Sequence, residues 1–227
     1  LVSQADPRAM TSPALMTHSE SAVQTPVAAA GSAESETAHG AITLARHGEP
    51  ALSRKCMITS DQYRDWWGRY EIGGLRAGQT PPQALLSTAE GAGAIYASTR
   101  PRAQETARAV APGRDVLVDA LFIEAPLPPP HFPAWIKLSP RYWGVISRIW
   151  WHAFNHHEGQ ETRAEAEVRA DQAARVLIAR ASEGHDVLVL AHGYFNHMVG
   201  QRLKAHGWRL AHNQGFKYWS QRRFVKR

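Results

Sequence analysis

The chain has 227 residues, of which 44% are hydrophobic and 20% are charged, and its net charge is +6. This composition is typical of a globular domain with one sizeable core and excludes a chain that is disordered throughout. The single cysteine, Cys56, excludes an intramolecular disulfide, and no apolar run is long enough to span a bilayer. The positive charge favours an anionic partner, namely a phosphate group, nucleic acid or an acidic membrane surface.

The first part of the chain differs in composition from the rest. Residues 1–39 are rich in Ala, Ser, Thr, Gln and Pro and show no sustained hydrophobic period, so we expect a disordered N-terminal tail. This segment lacks the charged-then-apolar pattern of a signal peptide, which makes the cytoplasm the default location. Because the first residue is Leu1, we expect the natural start to lie upstream or at Met10 or Met16.

Apolar strands alternate with helical patterns over residues 40–227, which we predict to form one domain. The predicted strands are Ala41–Ala45, Ala94–Ala97, Asp115–Asp119 and Asp186–Ala191. Helices are predicted at Arg102–Val110 and within Glu161–Gly184, where early acids, late arginines and a final glycine agree with helix-end preferences. This alternation predicts a three-layer α/β domain with a largely parallel sheet.

Two insertions, at about 53–85 and 125–157, interrupt this alternation, and segments of this length are usually lids or binding loops. The first contains an aromatic and basic stretch, Asp61–Pro82. The second begins as a proline run in Ala125–Phe154 and then places five residues on one helical face: Tyr142, Val145, Ile146, Ile149 and Trp150.

For the second insertion we favour a lid helix that packs its aromatic stripe on the core. The alternative is a surface for lipid or for an apolar phosphorylated substrate, formed by Trp135, Trp143, Trp150, Trp151, Lys137, Arg141 and Arg148. His152, His156 and His157 lack acidic or cysteine partners in the pattern, so we interpret them as surface residues rather than metal ligands.

Polar side chains follow three of the predicted strands. Arg46-His47-Gly48 follows the first, Ser98-Thr99-Arg100-Pro101-Arg102 follows the second, and His192-Gly193 follows Asp186–Ala191. Each group alone has a structural explanation, as a surface pair, a solvated first-turn arginine or a helix cap. Ligands of parallel sheets bind at the carboxyl ends of the strands, so the three groups together predict an anion site that contains a nucleophile.

These residues resemble the motifs of the histidine phosphatase superfamily, which has the phosphoglycerate mutase-like fold. "LARHGEP" is similar to its Arg-His-Gly motif, and "YASTRPRAQETA" (Tyr96–Ala107) is similar to its second motif and selects Arg102 rather than Arg100. "VLVLAHG" (Val187–Gly193) resembles the strand that carries its second histidine. The resemblance runs from about residue 40 to the end and implies a three-layer α/β/α sandwich with a mostly parallel central sheet.

The resemblance implies a phosphatase mechanism. His47 would attack phosphorus and form a phosphohistidine that water then hydrolyses. Arg46, Arg102 and His192 would bind the phosphoryl oxygens, with Gly48 and Gly193 completing the substrate-binding set. Because the cations come from side chains, we expect no metal and no cofactor.

The general acid implied by the resemblance is Glu124 in "DALFIEAP", where burial beside Leu121, Phe122 and Ile123 would favour its protonated form. The alternative is a solvent-facing glutamate at a strand end, with Asp119 or Glu49 as the donor.

Relatives often carry Thr or Ser and a later Asn after the first motif. Here Glu49 and Pro50 stand instead, Ser53 is a weak substitute, and Asn213 resembles the residue that begins the last strand.

Three functions compete on this evidence. The first is a phosphomonoesterase acting on a small phosphorylated substrate, and the second is a phosphoglycerate mutase-type phosphoryl transfer in the same pocket. The third is a non-catalytic phosphate-binding module, which would need the arginines but not His47 and His192. The dispersed arginines argue against nucleic acid, and we regard membrane association as the less favoured alternative. The leading prediction is the phosphomonoesterase.

Overall fold

The computed structural model describes residues 39–226, so the predicted tail lies outside the described residues except for His39. The strands are β1 (Ile42–Arg46), β2 (Ala94–Ser98), β3 (Leu117–Asp119), β4 (Val187–Ala191), β5 (Trp208–Asn213) and β6 (Gln221–Lys226). The helices are α1 (Ser60–Ile72), α2 (Gln83–Gly91), α3 (Pro101–Val110), α4 (Pro140–Phe154), α5 (Arg163–Ser182) and α6 (Gly193–Ala205). One 3-10 turn spans Ala120–Phe122.

The strands form one sheet in the order β3-β2-β4-β1-β6-β5. The first four strands pair in parallel, whereas β6 runs antiparallel to both β1 and β5. The prediction of a mostly parallel sheet is confirmed. Strands β1 and β4 are neighbours with Arg46 opposite Ala191, so the residues that follow these two strands emerge side by side.

Alternate side chains of the sheet enter two separate cores, because successive residues of a strand point to opposite faces. Leu44 and Val189 pack on the side of α5 and α6, whereas Ala45 and Leu190 pack on the side of α2 and α3. Buried alanines let α5 lie close to the sheet: Ala166, Ala170, Ala173, Ala174 and Ala181. The predicted three-layer α/β/α architecture is confirmed.

The two predicted helices lie where the sequence places them. Helix α5 begins with a capping box in which the Thr162 hydroxyl accepts from the Glu165 amide and the Glu165 carboxylate accepts from the Thr162 amide. It stops before Gly184, whose φ of 87° is in the left-handed region that favours glycine. Helix α3 begins at Pro101, whose missing amide is not needed in the first turn.

The insertions contribute helices of their own, which pack on each other through an aromatic cluster. Tyr63, Trp66 and Tyr70 of α1 form one cluster with the buried Trp143 of α4, in which the Tyr63 and Trp143 ring centroids are 6.4 Å apart. This cluster places α1 and the loop before it beside the carboxyl ends of the parallel strands, where Tyr70 contacts Arg102 of α3.

The tryptophan side chains of α4 pack inward as predicted, but the predicted face is wrong at three of its five positions, with Ile146 and Trp150 partly buried. Tyr142, Val145 and Ile149 are exposed, while Trp143 and Trp151 are fully buried. The indole N–H of Trp143 donates to the Ile58 carbonyl at 2.7 Å, and that of Trp151 donates to the Glu161 carbonyl at 3.1 Å. The two indoles face inward because burial removes their apolar rings from water and because each N–H finds a carbonyl acceptor there.

Membrane-spanning helices and groups of metal ligands are both absent from residues 39–226. No helix in this range combines the length and apolar character needed to cross a membrane. In the same range no three His, Cys, Asp or Glu side chains are grouped as a set of metal ligands.

Candidate active site

The carboxyl ends of β1, β2 and β4 bring three of the predicted site residues into one buried cluster. The Arg102 Nε lies 3.3 Å from His47 Nε2, and the Arg102 Nη2 lies 3.4 Å from His192 Nδ1. The centroids of the two imidazole rings are 5.2 Å apart. His47 is 2% exposed and the other two side chains are 1% exposed, so this cluster is shielded from bulk water.

The loop after β1 orients the His47 ring. Its Nδ1 donates to the Gly48 carbonyl at 2.7 Å, which puts the proton of the neutral ring on Nδ1 and the lone pair on Nε2. The Gly48 amide donates to the Thr106 hydroxyl at 3.0 Å. A Cβ at Gly48 would lie 2.3 Å from the Trp219 ring, so this close approach requires glycine.

Both histidines are held neutral. Burial and then the positive charges of Arg102 and Arg46 lower the pKa of His47 well below its usual value. Burial and then the charge of Arg102 also lower the pKa of His192 well below its usual value. At pH 7 the imidazole of His47 is therefore uncharged, with an unprotonated Nε2.

The hydroxyl of Ser98, the last residue of β2, fixes His192. The His192 Nε2 lies 2.8 Å from the Ser98 Oγ, and the Ser98 side chain is buried. The ring of His192 is thus held between Ser98 on one side and Arg102 on the other. Ser98 lies within the second motif, but the motif does not predict its contact with His192.

Arg46 lies at the edge of the cluster. Its Nη1 donates to the Phe216 carbonyl at 2.5 Å, and its guanidinium stacks 4.3 Å from the centre of the Tyr218 ring. The Arg46 Nε is buried and has no partner within the described part of the chain. A Cβ added to Gly193 would lie 3.3 Å from this Nε, so Gly193 borders the same unpaired donor.

Glu71, in the last turn of α1, is a residue that the sequence reasoning missed. Its Oε1 accepts from Arg102 Nη2 at 2.8 Å, and its Oε2 accepts from Arg100 Nη2 at 2.6 Å. The Arg102 Nη1 donates to the Tyr70 carbonyl at 2.8 Å, and the Tyr70 ring covers the guanidinium at 4.4 Å. A carboxylate and a backbone carbonyl thus occupy the donors of Arg102 that the sequence assigns to a phosphoryl group.

Arg54 also lies near the cluster, close enough for its charge to contribute to the lowered pKa of His47. Neither Arg54 nor Glu71 belongs to a motif. The only signal for either is its place in an insertion rich in aromatic and charged residues.

Glu124 is attached to the helix that follows His192. Its carboxylate accepts from the amides of Phe195 at 2.8 Å, Tyr194 at 3.2 Å and Ala125 at 3.1 Å. A carboxylate at a helix N-terminus is stabilised by the helix dipole and the unpaired amides there. Glu124 therefore lies at the start of α6 and is half-buried rather than a solvent-facing residue.

The fallback donors make other contacts. The Glu49 carboxylate forms an exposed ion pair with Arg76 at 2.8 Å, and the Asp119 carboxylate accepts from the Leu121 amide at 2.8 Å. The Ser53 hydroxyl accepts from the Lys55 amide at 3.1 Å. The prediction for Asn213 is wrong, because it ends β5 and its side chain accepts from the Gly215 amide in the turn before β6.

Comparisons with known proteins find a matching family and similar folds. The model of the "Histidine phosphatase superfamily (branch 1)" matches residues 73–220. A search of curated proteins finds no match. Among solved structures, phosphoserine phosphatase from Entamoeba histolytica in complex with 3-phosphoglyceric acid has a TM-score of 0.51 and 15% identity, covering 82% of this chain and 90% of that chain.

Two other solved structures are similar. A mutant of the Entamoeba histolytica enzyme in complex with phosphoserine has a TM-score of 0.53 and 17% identity, covering 83% of this chain and 91% of that chain. Mycobacterial glucosyl-3-phosphoglycerate phosphatase in complex with VO3 has a TM-score of 0.47 and 18% identity, covering 72% and 81%. The family match spans more than half of the chain and the fold agrees, so the chain belongs to the histidine phosphatase superfamily.

Proposed function

We propose that the protein is a metal-independent phosphomonoesterase that acts through a phosphohistidine on His47. One observation carries the proposal: the neutral imidazole of His47 presents its unprotonated Nε2 to the guanidinium of Arg102 at 3.3 Å. A nucleophile that faces a buried cation is suited to a phosphoryl group, which needs both in-line attack and charge stabilisation.

Arg46, Arg102 and His192 are proposed to bind the non-bridging oxygens of the phosphoryl group. The buried Nε of Arg46, beside Gly193, offers a hydrogen bond that no other group within residues 39–226 accepts. Preorganised donors in a buried site stabilise developing charge more strongly than water does. Gly48 contributes by holding the Nδ1 proton of His47 and by permitting the close approach of Trp219.

The leaving alkoxide needs a proton, for which we propose Glu124. As the P–O bond to the alcohol breaks and the bond to His47 Nε2 forms, the carboxyl group transfers its proton to the departing oxygen. The resulting carboxylate then takes a proton from the water that attacks the phosphohistidine, which restores both groups and releases inorganic phosphate. The place of Glu124 on the wall of a cavity that Glu71 and Arg100 also line supports this role, whereas its amide hydrogen bonds at the start of α6 favour the carboxylate that acts in the second step.

A bound phosphoryl group must replace Glu71 on Arg102, because both are anions that need the same guanidinium. Glu71→Gln keeps the size of the side chain but removes the competing charge. We expect the dissociation constant of inorganic phosphate to fall about tenfold, since like charges at one site disfavour each other by more than 1 kcal/mol.

Isothermal titration with inorganic phosphate measures this effect directly. Glu90→Gln is the matched control because Glu90 is exposed at the end of α2, and its affinity for phosphate should equal that of the wild type. If Glu71→Gln weakens phosphate binding instead, Glu71 holds Arg102 in place and does not compete with the ligand.

The proposed activity is tested by hydrolysis of p-nitrophenyl phosphate. We expect turnover that is unchanged by EDTA, and acid quenching during turnover should trap an acid-labile phosphoryl adduct on His47 that mass spectrometry locates. A parallel assay with 3-phosphoglycerate separates the alternatives. Isomerised phosphoglycerate with little free phosphate would indicate a mutase, and phosphate binding without any turnover would indicate a binding module.

A further inference from the structure

A cavity of about 940 Å³ opens beside the buried cluster. Glu71 and Arg100 line the end of the cavity that lies toward Arg102, to which the Glu71 carboxylate is bonded. The remaining walls come from the turn after β3, the segment before α5 and one face of α5. The larger apolar side chains that line the cavity are Trp67 of α1 and, from the remaining walls, Leu121, Ile123, Pro126 and Val168.

The charged side chains of the walls already have partners within the protein, while Gln160 and Gln172 contribute amide side chains to the lining. Arg169 is bonded to both oxygens of Glu161 at 2.6 and 2.7 Å, and its Nη1 donates to the carbonyls of Leu121 and Ile123 at 2.9 Å each. Glu165 belongs to the capping box of α5. Val168, by contrast, is 59% exposed on the cavity side of α5, and a ligand there would remove its apolar surface from water.

The cavity also has a negative balance of charge. Its lining includes the carboxylates of Glu71, Asp119, Glu124, Glu161 and Glu165, against the guanidiniums of Arg100 and Arg169. A ligand that carries a carboxylate in addition to its phosphate would meet this excess of negative charge once its phosphate has bound at Arg102. Such a ligand is disfavoured by like-charge repulsion.

We infer that the cavity binds the alcohol portion of the substrate, and that the substrate is a phosphomonoester of an uncharged, largely apolar alcohol. This inference rests on the proposed function, because it places the phosphoryl group at His47 and Arg102. The volume is within the range of about 300–1,000 Å³ of sites for small organic ligands, which is far more than a phosphate group fills.

Alkylphosphonates test the inference without turnover, because their P–C bond is not hydrolysed. In isothermal titration we expect octylphosphonate to bind at least about tenfold more tightly than methylphosphonate, since each buried methylene favours binding. Hexylphosphonate should bind more tightly than 5-carboxypentylphosphonate. Val168→Asn should reduce the octyl-to-methyl affinity ratio several-fold, whereas Val176→Asn, an exposed valine of the same helix outside the cavity, should leave the ratio unchanged.

The outcomes separate this inference from the proposed function. Equal affinities for octylphosphonate and methylphosphonate, or a ratio that Val168→Asn does not change, would overturn the apolar site even if p-nitrophenyl phosphate is hydrolysed. Equal affinities for hexylphosphonate and 5-carboxypentylphosphonate would overturn the preference for an uncharged alcohol. Strong and Val168-dependent octylphosphonate binding by a protein without phosphatase activity would support the cavity and refute the catalytic proposal.

Discussion

Replacing His47 by alanine is expected to lower kcat/KM for p-nitrophenyl phosphate by about 10⁴-fold or more, because losing a nucleophile removes the covalent route altogether. His192 also faces Arg102, through its Nδ1, and its Nε2 is engaged with Ser98, so the position of the phosphoryl adduct distinguishes the two histidines. The phosphoryl adduct that mass spectrometry detects in the wild type should be absent from His47→Ala.

The control for His47→Ala is His212→Ala, an exposed histidine on β5, which should retain wild-type kinetics. Circular dichroism of both variants checks that the fold is kept, and titration with inorganic phosphate checks that the arginines still bind an anion. A His47→Ala protein that is folded and keeps more than about one part in a hundred of the activity would show that another group is the nucleophile.

Arg102→Ala is the second change with a large expected effect. Its guanidinium contacts both histidines and Glu71 within the buried cluster, so kcat/KM should fall about 10³-fold through the loss of phosphoryl binding and charge stabilisation. The free energy of unfolding should also fall, by about 2 kcal/mol, because the Tyr70 carbonyl loses its donor and Glu71 keeps only Arg100 as a partner.

Arg102→Lys separates the charge of Arg102 from its geometry. Lysine keeps the positive charge but not the fork that reaches His47, His192 and Glu71 together, so we expect activity between that of Arg102→Ala and the wild type. Steady-state kinetics and urea unfolding of the three proteins provide the measurements. If Arg102→Ala retained wild-type kcat/KM, the anion site would have to be placed elsewhere.

The parts of the site that the sequence predicts are those tied to strand ends. His47 and His192 each follow a five-residue buried strand, and the parallel pairing of β1 with β4 makes their proximity a matter of topology. Arg102 is predictable for the same reason, since α3 begins directly after β2. In these cases local pattern and global fold agree.

Glu71 could not be found in this way. It belongs to an insertion whose position depends on the packing of aromatic residues between α1 and α4. The hydrophobic pattern of the sequence does not predict that packing. The buried face of α4 was mispredicted for a related reason, because the hydrogen bonds of Trp143 and Trp151 decide which face turns inward. The β5–β6 hairpin was not predicted because its strands are rich in polar residues and β5 is largely exposed.

The position of β1 in the sheet determines when the nucleophile can be brought into place during folding. Both neighbours of β1 come from the last quarter of the sequence, and the contact of Ala41 with Asp186 joins residues that are 145 positions apart. Closing such a long loop is slow, because chain entropy is lost before the contacts repay it. During synthesis, His47 therefore cannot reach its final surroundings until nearly the whole chain has emerged from the ribosome.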